Sequence, residues 1–321
     1  MNLLPGTNML IDSLSDLFMK QEGPLEIISR QDFSGRSTFP VEIIMCKTHS
    51  GKTINLFCKY RGGISLNGGN QKGGIDYEAR IYSEVLSGIS LSNVNYYGLC
   101  QFFDSGESSL VIEYLGKHLR LFESGDIDAF LKAAIWIGMF HSISEKKYPD
   151  FLKIYDTSFY RSWSSRFEHI MLSYQEEHPW LKGLVKYFEN NIEILTAAPQ
   201  TIVHGEYYPE NILIKGGLIY PVDWESSAIG PGEIDLASLI ENLNENLTDR
   251  VIDAYTSVRW PTGLYSRNEF DNRLLLAQIY FHFRWIVEED NLEAWLKGST
   301  TFNQLMNLAR RADCIKEQKN Q

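Results

Sequence analysis

Apolar positions recur along this chain with two different periods, and the period changes near Leu115. Asn8 to Phe18 carries Met9, Leu10, Leu14 and Leu17 at helical spacing, which predicts a short amphipathic helix. From Leu25 to Tyr60 the period shortens, and Pro24–Phe33, Phe39–Thr48 and Thr53–Arg61 read as three strands. The last two are joined by His49-Ser50-Gly51-Lys52, a hairpin turn with glycine where a positive φ is needed. Gly62 to Gly74 holds six glycines and predicts a long loop. Asp76 then stands as N-cap before a helix over Tyr77–Leu86. Two more strands follow, Gly98–Asp104 and Leu110–Tyr114, around a Ser105–Ser109 hairpin loop.

Beyond Leu115 the helical period takes over. Asp126–Ser142 is apolar over a wide face and so reads as a buried helix. Ser158–Tyr174 and Pro179–Leu195 also read as helices. Short strands are expected at Ile212–Ile214 and Ile219–Val222, and helix from Gly232 onward with a break near Pro261-Thr262-Gly263. The outline is α+β: residues 1–115 form a small, mostly β lobe with one helix, and residues 116–321 a larger helical lobe. At 321 residues the chain is long enough for two lobes with cores of their own.

Composition narrows the class of function. Charged residues make up 22% and hydrophobic ones 44%, the balance of a soluble protein, and no apolar run approaches the ~20 residues that span a bilayer. Met1–Phe18 has no basic segment and carries Asp12 and Asp16, so it does not read as a signal peptide. Cys46, Cys58, Cys100 and Cys314 are far apart in sequence and fit buried thiols in a reducing cytoplasm. The net charge of −11, without a basic run interleaved with aromatics, argues against nucleic acid as a partner. Residues up to Leu115 hold 12 acidic and 9 basic side chains and the remainder 29 and 21, so the acidity is concentrated in the second part. Such a surface favours solubility first, and a cationic partner second.

The chemistry is concentrated between Thr201 and Leu236. His204-Gly205-Glu206 forms a turn, Asn211 lies five residues after the glutamate, and Asp223-Trp224 begins twelve residues after the asparagine. Transfer of a phosphoryl group from ATP needs a cation on the phosphates, oxygen ligands for Mg²⁺ and a carboxylate for the acceptor hydroxyl. Asn211 and Asp223 offer the metal ligands, and Glu206 the carboxylate. Singly, each reads as an ordinary turn residue; in this order and spacing they read as a site. Lys59, on an apolar strand, requires a partner if it points inward, and Glu78 in the next helix is the candidate. Ser37, within Ser34–Thr38, falls where a nucleotide-covering loop would lie, although an ordinary hairpin loop fits equally. Glu113-Tyr114-Leu115 ends a hydrophobic strand where its backbone could meet an adenine edge. His204 is expected to stiffen its loop, and Asp235 to cap or brace it.

With these residues the chain resembles the aminoglycoside phosphotransferase and choline kinase-like group of the protein-kinase-like fold. The resemblance rests on HGEYYPEN, VDWESSAIGPGEIDLA, INLFCKY, DYEARIYSEVL and WIGMFHS, and spans Leu25 to Ile240. It implies a two-lobed protein with ATP and Mg²⁺ as cofactors and a small-molecule hydroxyl as acceptor. Lys59 and Glu78 would anchor phosphate, Asn211 and Asp223 would hold metal, and Asp235 would brace the catalytic loop. Glu206 takes the position of the family's catalytic aspartate. Its basicity differs little from aspartate, about 4.3 against 3.9 in pKa, but its arm is longer by one methylene, about 1.5 Å. An offset of about 1 Å can cost ~100-fold in rate, so the loop or the acceptor must suit the longer arm. The carboxylate is expected to face the cleft of Asn211 and Asp223 rather than an outer-surface salt bridge. Glu210, Glu225, Glu288 and Glu289 are candidates for an acidic acceptor wall suited to a cation. Two alternatives stand beside the small-molecule kinase: a kinase for Ser/Thr of a peptide, and a nucleotide-binding pseudokinase with a regulatory role.

Overall fold

The computed structural model describes residues 4–19, 23–33, 39–61, 73–102, 107–263, 266–288 and 300–315. Ser37 with the rest of 34–38, most of the glycine-rich loop (62–72), part of the Ser105–Ser109 loop, and Glu289 lie outside these residues. The chain forms two compact units: residues 1–129 with 209–227, and residues 130–208 with 228–321. The expected boundary at 115/116 is a single cut in sequence, whereas the compact units interleave. Asn211 and Asp223 accordingly belong to the first unit and Glu206 to the second.

The first unit is built on an antiparallel sheet of β1 (Glu26–Asp32), β2 (Val41–Lys47), β3 (Thr53–Tyr60), β4 (Tyr96–Phe102) and β5 (Glu107–Glu113), in the order β1-β2-β3-β5-β4. Helix α1 (Thr7–Phe18) lays Leu10, Leu14 and Phe18 on this sheet, against Ile44, Leu56, Cys58, Cys100 and Phe102. The helix approaches β4 closely because Gly98 has no side chain; a Cβ there would collide with Leu17. Arg30 ties the start of α1 to the sheet: it donates to Glu42 (3.0 and 2.7 Å), Thr7 and the Pro5 carbonyl, and Glu42 also accepts from Tyr60. Helix α2 (Gly74–Arg80) runs on through a π turn (Ile81–Val85) and a 3₁₀ turn (Leu86–Gly88). Its N-cap is Gly73, not Asp76; Asp76 lies in the first turn, where its carboxylate meets Arg61 and Ser108. A second small sheet orders β10 (Leu218–Pro221), β9 (Ile212–Lys215) and β6 (Leu119–Arg120), with α3 (Leu121–Ser124) following β6. The three thiols inside the first unit are inert, since burial pushes Cys46 up to about 11 and Cys100 up to about 12.

The second unit is mostly helical: α4 (Ile127–Ser144, entering from the first unit), α5 (Thr157–Met171), α6 (Trp180–Thr196), α7 (Glu233–Ile240), α8 (Glu245–Arg259), α9 (Arg267–Glu288) and α10 (Thr300–Arg311). Its core is aromatic, with Trp163, Tyr160, Phe167, Phe188, Tyr280 and Phe283 buried between α5, α6 and α9. Three short strands were not expected from the sequence. β11 (Ala228–Pro231) pairs parallel with β7 (Lys153–Ile154) and antiparallel with β8 (Gln200–Val203). Strands of two to four residues are too short to show alternation, and Gly230-Pro231 reads as turn material. Among the described residues no helix is long and apolar enough to cross a membrane.

Candidate active site

In the first unit, β3 is buried on its inner face and brings Lys59 inward, where a lysine without partners would lose its charge. It has two partners. Lys59 Nζ lies 2.7 Å from Glu78 Oε2 on α2 and 2.7 Å from Asp223 Oδ1, and 5.0 Å over the Phe39 ring. Burial works against the ammonium charge, but Asp223, Glu78 and Glu225 hold its pKa well above the ordinary lysine value. The balance is reversed at Glu78: burial outweighs the attraction of Lys59 and raises its pKa to about 7. The three carboxylates keep Lys59 charged, whereas burial is the main cause of the raised value at Glu78.

Asp223 adopts a left-handed backbone conformation, φ 70°, which aspartate tolerates better than most residues. The other Glu78 oxygen accepts from Trp224 N–H at 3.2 Å, so this glutamate holds both the lysine and the segment carrying Asp223. Asn211 is buried at the end of a 3₁₀ turn (Pro209–Asn211), and its carbonyl accepts from Val222 N–H at 2.9 Å. Lys59, Glu78, Asn211 and Asp223 all line one cleft of about 760 Å³, together with Glu113, Leu115, Phe33, Phe57, Ile112 and Arg120. Glu113 is engaged within the fold: its carboxylate accepts from the Asn95 amide at 2.7 Å, and its N–H donates to the Asn95 carbonyl at 2.8 Å. Sequence reasoning missed Arg120, which donates to the Glu210 carbonyl at 2.8 Å; a lone arginine on a two-residue strand gives no signal. Of the acidic candidates in this unit, Glu225 is buried and Glu210 is exposed.

In the second unit, Asp235 is fully buried in the first turn of α7. Its carboxylate accepts from His204 N–H (2.7 Å) and Gly205 N–H (2.8 Å), and His141 Nε2 lies 3.0 Å away. This is a brace on the His204–Glu206 turn. His141 Nδ1 faces the Tyr255 hydroxyl at 3.0 Å. Burial lowers the His141 pKa against the pull of Asp235, which keeps the ring neutral; Nε2 then donates to Asp235 and Nδ1 accepts from Tyr255. Gly232 makes room for the pair, because a methyl group there would collide with the Tyr255 hydroxyl and the His141 ring. His204 is buried and accepts from Glu206 N–H at 3.3 Å, which stiffens the turn.

Glu206 is buried as well, and its carboxylate pairs with Arg284 of α9, a buried residue and not one of the outer surface. Arg284 also donates to the Gly205 carbonyl at 2.8 Å and to Glu288 at 3.3 Å. These groups line a pocket of about 370 Å³ with Tyr208, Phe281 and Trp285. Arg284 was not legible in the sequence, since it lies 78 positions from Glu206.

Residues 141–261 match the phosphotransferase enzyme family. No curated protein sequence matches significantly. Among solved structures, choline kinase LicA from Streptococcus pneumoniae superposes with a TM-score of 0.60 at 17% identity, covering 95% of this chain and 96% of that one. A putative fructosamine-3-kinase from Haemophilus somnus 129PT gives 0.57 at 16% identity, covering 94% and 97%. The GDP and kanamycin complex of an aminoglycoside phosphotransferase, APH(2")-IIIa, gives 0.62 at 12%, covering 94% and 98%. These likenesses show the fold: α+β and kinase-like, with an antiparallel sheet and a mostly helical part. The family match over residues 141–261 and the fold are those of phosphotransferases. Within that fold, the solved structures it resembles include a choline kinase and aminoglycoside phosphotransferases.

Proposed function

We propose that this protein transfers the γ-phosphate of ATP, assisted by Mg²⁺, to a hydroxyl of a cationic small molecule. The observation that carries the reading is the Lys59 ammonium shared between Glu78 and Asp223 on the wall of a cleft that Asn211 also lines. One cation among Glu78, Asp223 and Glu225 leaves the cluster with excess negative charge, and its donors are hard oxygens, a set that fits Mg²⁺. Asn211 and Asp223 would hold the ion, whose chemistry is to neutralise charge on the transferring phosphates. Lys59 binds the phosphates, and the backbone of Glu113–Leu115 meets the base. Glu206, five residues before Asn211 in the chain, orients the acceptor hydroxyl and takes its proton. The acceptor oxygen then bonds to phosphorus as the bond to the β-phosphate oxygen breaks and ADP leaves.

The cationic acceptor rests on the pocket beside Glu206. It holds two carboxylates, Glu206 and Glu288, against one guanidinium, and Tyr208 and Trp285 meet edge to face at 6.2 Å. Aromatic faces next to excess negative charge favour cations. The test is ATP binding by calorimetry with and without Mg²⁺, followed by turnover on choline, a fructosamine and kanamycin. Asp223→Asn, which tolerates the left-handed backbone, is expected to lose Mg²⁺-dependent binding and turnover while unfolding normally. Normal turnover by that variant would refute the metal assignment. Tight ATP binding without turnover on any acceptor, or on water, would favour a regulatory nucleotide-binding module.

A further inference from the structure

We infer that Arg284 is a positioning residue matched to the length of Glu206: it sets the carboxylate of the longer side chain where the acceptor hydroxyl needs it. The inference rests on the function proposed above, in which Glu206 meets the acceptor. It starts from a difficulty specific to glutamate. Compared with aspartate, its side chain has one more rotatable bond, and a free carboxylate on that arm would sample several positions. A general base that wanders by about 1 Å loses ~100-fold in rate.

Arg284 restrains that freedom. The Arg284 guanidinium is a rigid planar fork. One of its terminal nitrogens donates to the Gly205 carbonyl at 2.8 Å and the other to the Glu206 carboxylate. The fork therefore holds the backbone of one residue and the side-chain end of the next. The distance between the two is thereby set, and with it the torsions of the glutamate arm. The third edge of the fork, Nε, donates to Glu288, one turn further along α9, at 3.3 Å. The guanidinium is itself held from behind: its carbon lies 5.9 Å over the Trp163 ring, and its side chain is only 11% exposed. On the other side of the turn, the two N–H groups before Glu206 are fixed to Asp235. Backbone and side chain of the turn are thus held by different partners, Asp235 for the first and Arg284 for both. An aspartate at this place would leave its carboxylate a methylene short of the fork while the Gly205 contact persisted. With its donors directed to two carboxylates and a carbonyl, Arg284 is also occupied, and does not act as a receptor for an anionic acceptor.

The test is a double-mutant cycle on steady-state hydrolysis of Mg-ATP, with water as the acceptor. Glu206→Gln should lower kcat by ~10²–10⁴-fold. Arg284→Met should lower kcat by ~10–100-fold with the KM for ATP unchanged, and Arg284→Lys should recover part of the loss. The double variant, Glu206→Gln with Arg284→Met, should be no slower than Glu206→Gln alone, because Arg284 then has nothing to position. If Arg284→Met is too unstable to measure, the comparison of the double variant with Glu206→Gln carries the test, since the double variant removes both charges of the buried pair and leaves only the partly exposed Glu288 carboxylate. Losses that multiply in the double variant would overturn the inference and mark Arg284 as a purely structural residue. A higher kcat in Arg284→Met would also overturn it, since the ion pair would then restrain the base. If the parent shows no turnover that depends on Glu206, the proposed function fails and this inference fails with it.

Discussion

Lys59→Met removes the cation from the buried cluster, and its effect on stability can be worked out from the structure before any substrate is known. Asp223, with 36% of its side chain exposed, can turn to water; Glu78, at 2%, cannot. Folding the variant therefore either buries a bare carboxylate or protonates it, and protonation is the less costly route at neutral pH. Capturing a proton at pH 7, against an ordinary value of 4.5, costs about 3.4 kcal/mol, at about 1.36 kcal/mol per unit. In the parent, Lys59 allows Glu78 to ionise at about 7, so its share of the pH dependence ends there. The sign follows from proton counts. A carboxyl raised in the folded state binds more protons folded than unfolded, so stability falls as pH rises from 4.5 to the folded value, about 7 in the parent. In the variant that fall continues above pH 7.

The stability gap between parent and variant should therefore widen by about 1.4 kcal/mol per pH unit above about pH 7, or roughly 2.7 kcal/mol by pH 9. Urea unfolding of both proteins at about pH 6 and pH 9 measures it. Lys59→Met with Glu78→Gln should show no widening, because the titrating group is gone. Parallel pH profiles for parent and Lys59→Met would refute the argument, and with it the idea that Lys59 is what lets Glu78 ionise.

Glu206→Ala should lower turnover by ~10²–10⁴-fold with ATP affinity little changed, and Glu206→Asp should also be slower than the parent; an aspartate variant faster than the parent would mean that the glutamate detunes the site. His141→Asn should destabilise by roughly 1–3 kcal/mol, through loss of a partner for the buried Asp235 and Tyr255. Because the His141 pKa is lowered on folding, the unfolded chain gains a proton first as pH drops below about 6.5, and the parent should lose stability there. Thermal melts of parent and His141→Asn over that range should differ in slope, and equal slopes would exclude His141 as the source. Gly232→Ala should destabilise by about 1–3 kcal/mol, because its methyl group meets the Tyr255–His141 contact; an unchanged melting temperature would refute the close fit.

The residues that were legible in the sequence are those whose neighbours along the chain share their purpose. Lys59 was readable because a lysine within an apolar strand demands partners, and Glu78 because the next helix had to supply one. The five strands of the larger sheet in the first unit showed their alternation, although β4 and β5 begin two or three residues earlier than expected. Asp235 was foreseen as a brace from the Gly-Pro-Gly approach to its helix, but its bond to His141 joins residues 94 positions apart and had no local signature. Arg284 was hidden for the same reason, one arginine among several on a helix whose inner face is defined only by packing. Asp76 misled because an aspartate before a helical run usually caps it; here the helix begins earlier, at Gly74, and the carboxylate turns to Arg61.

The start of α2 is bonded to the Asp223 segment at three places: Gly73 N–H to the Glu225 carbonyl at 2.8 Å, the Tyr77 hydroxyl to the Ser227 carbonyl at 2.6 Å, and Glu78 to Trp224 N–H at 3.2 Å. A helix that carries one carboxylate of a cation site could serve as a lever, swinging out to silence the site and in to restore it. Here the lever is riveted. Withdrawing Glu78 from Lys59 would also tear the backbone that follows Asp223 from its hydrogen bonds. The site is therefore assembled whenever the unit is folded, and control of such a protein would fall on its abundance and its supply of acceptor rather than on a movement of this helix.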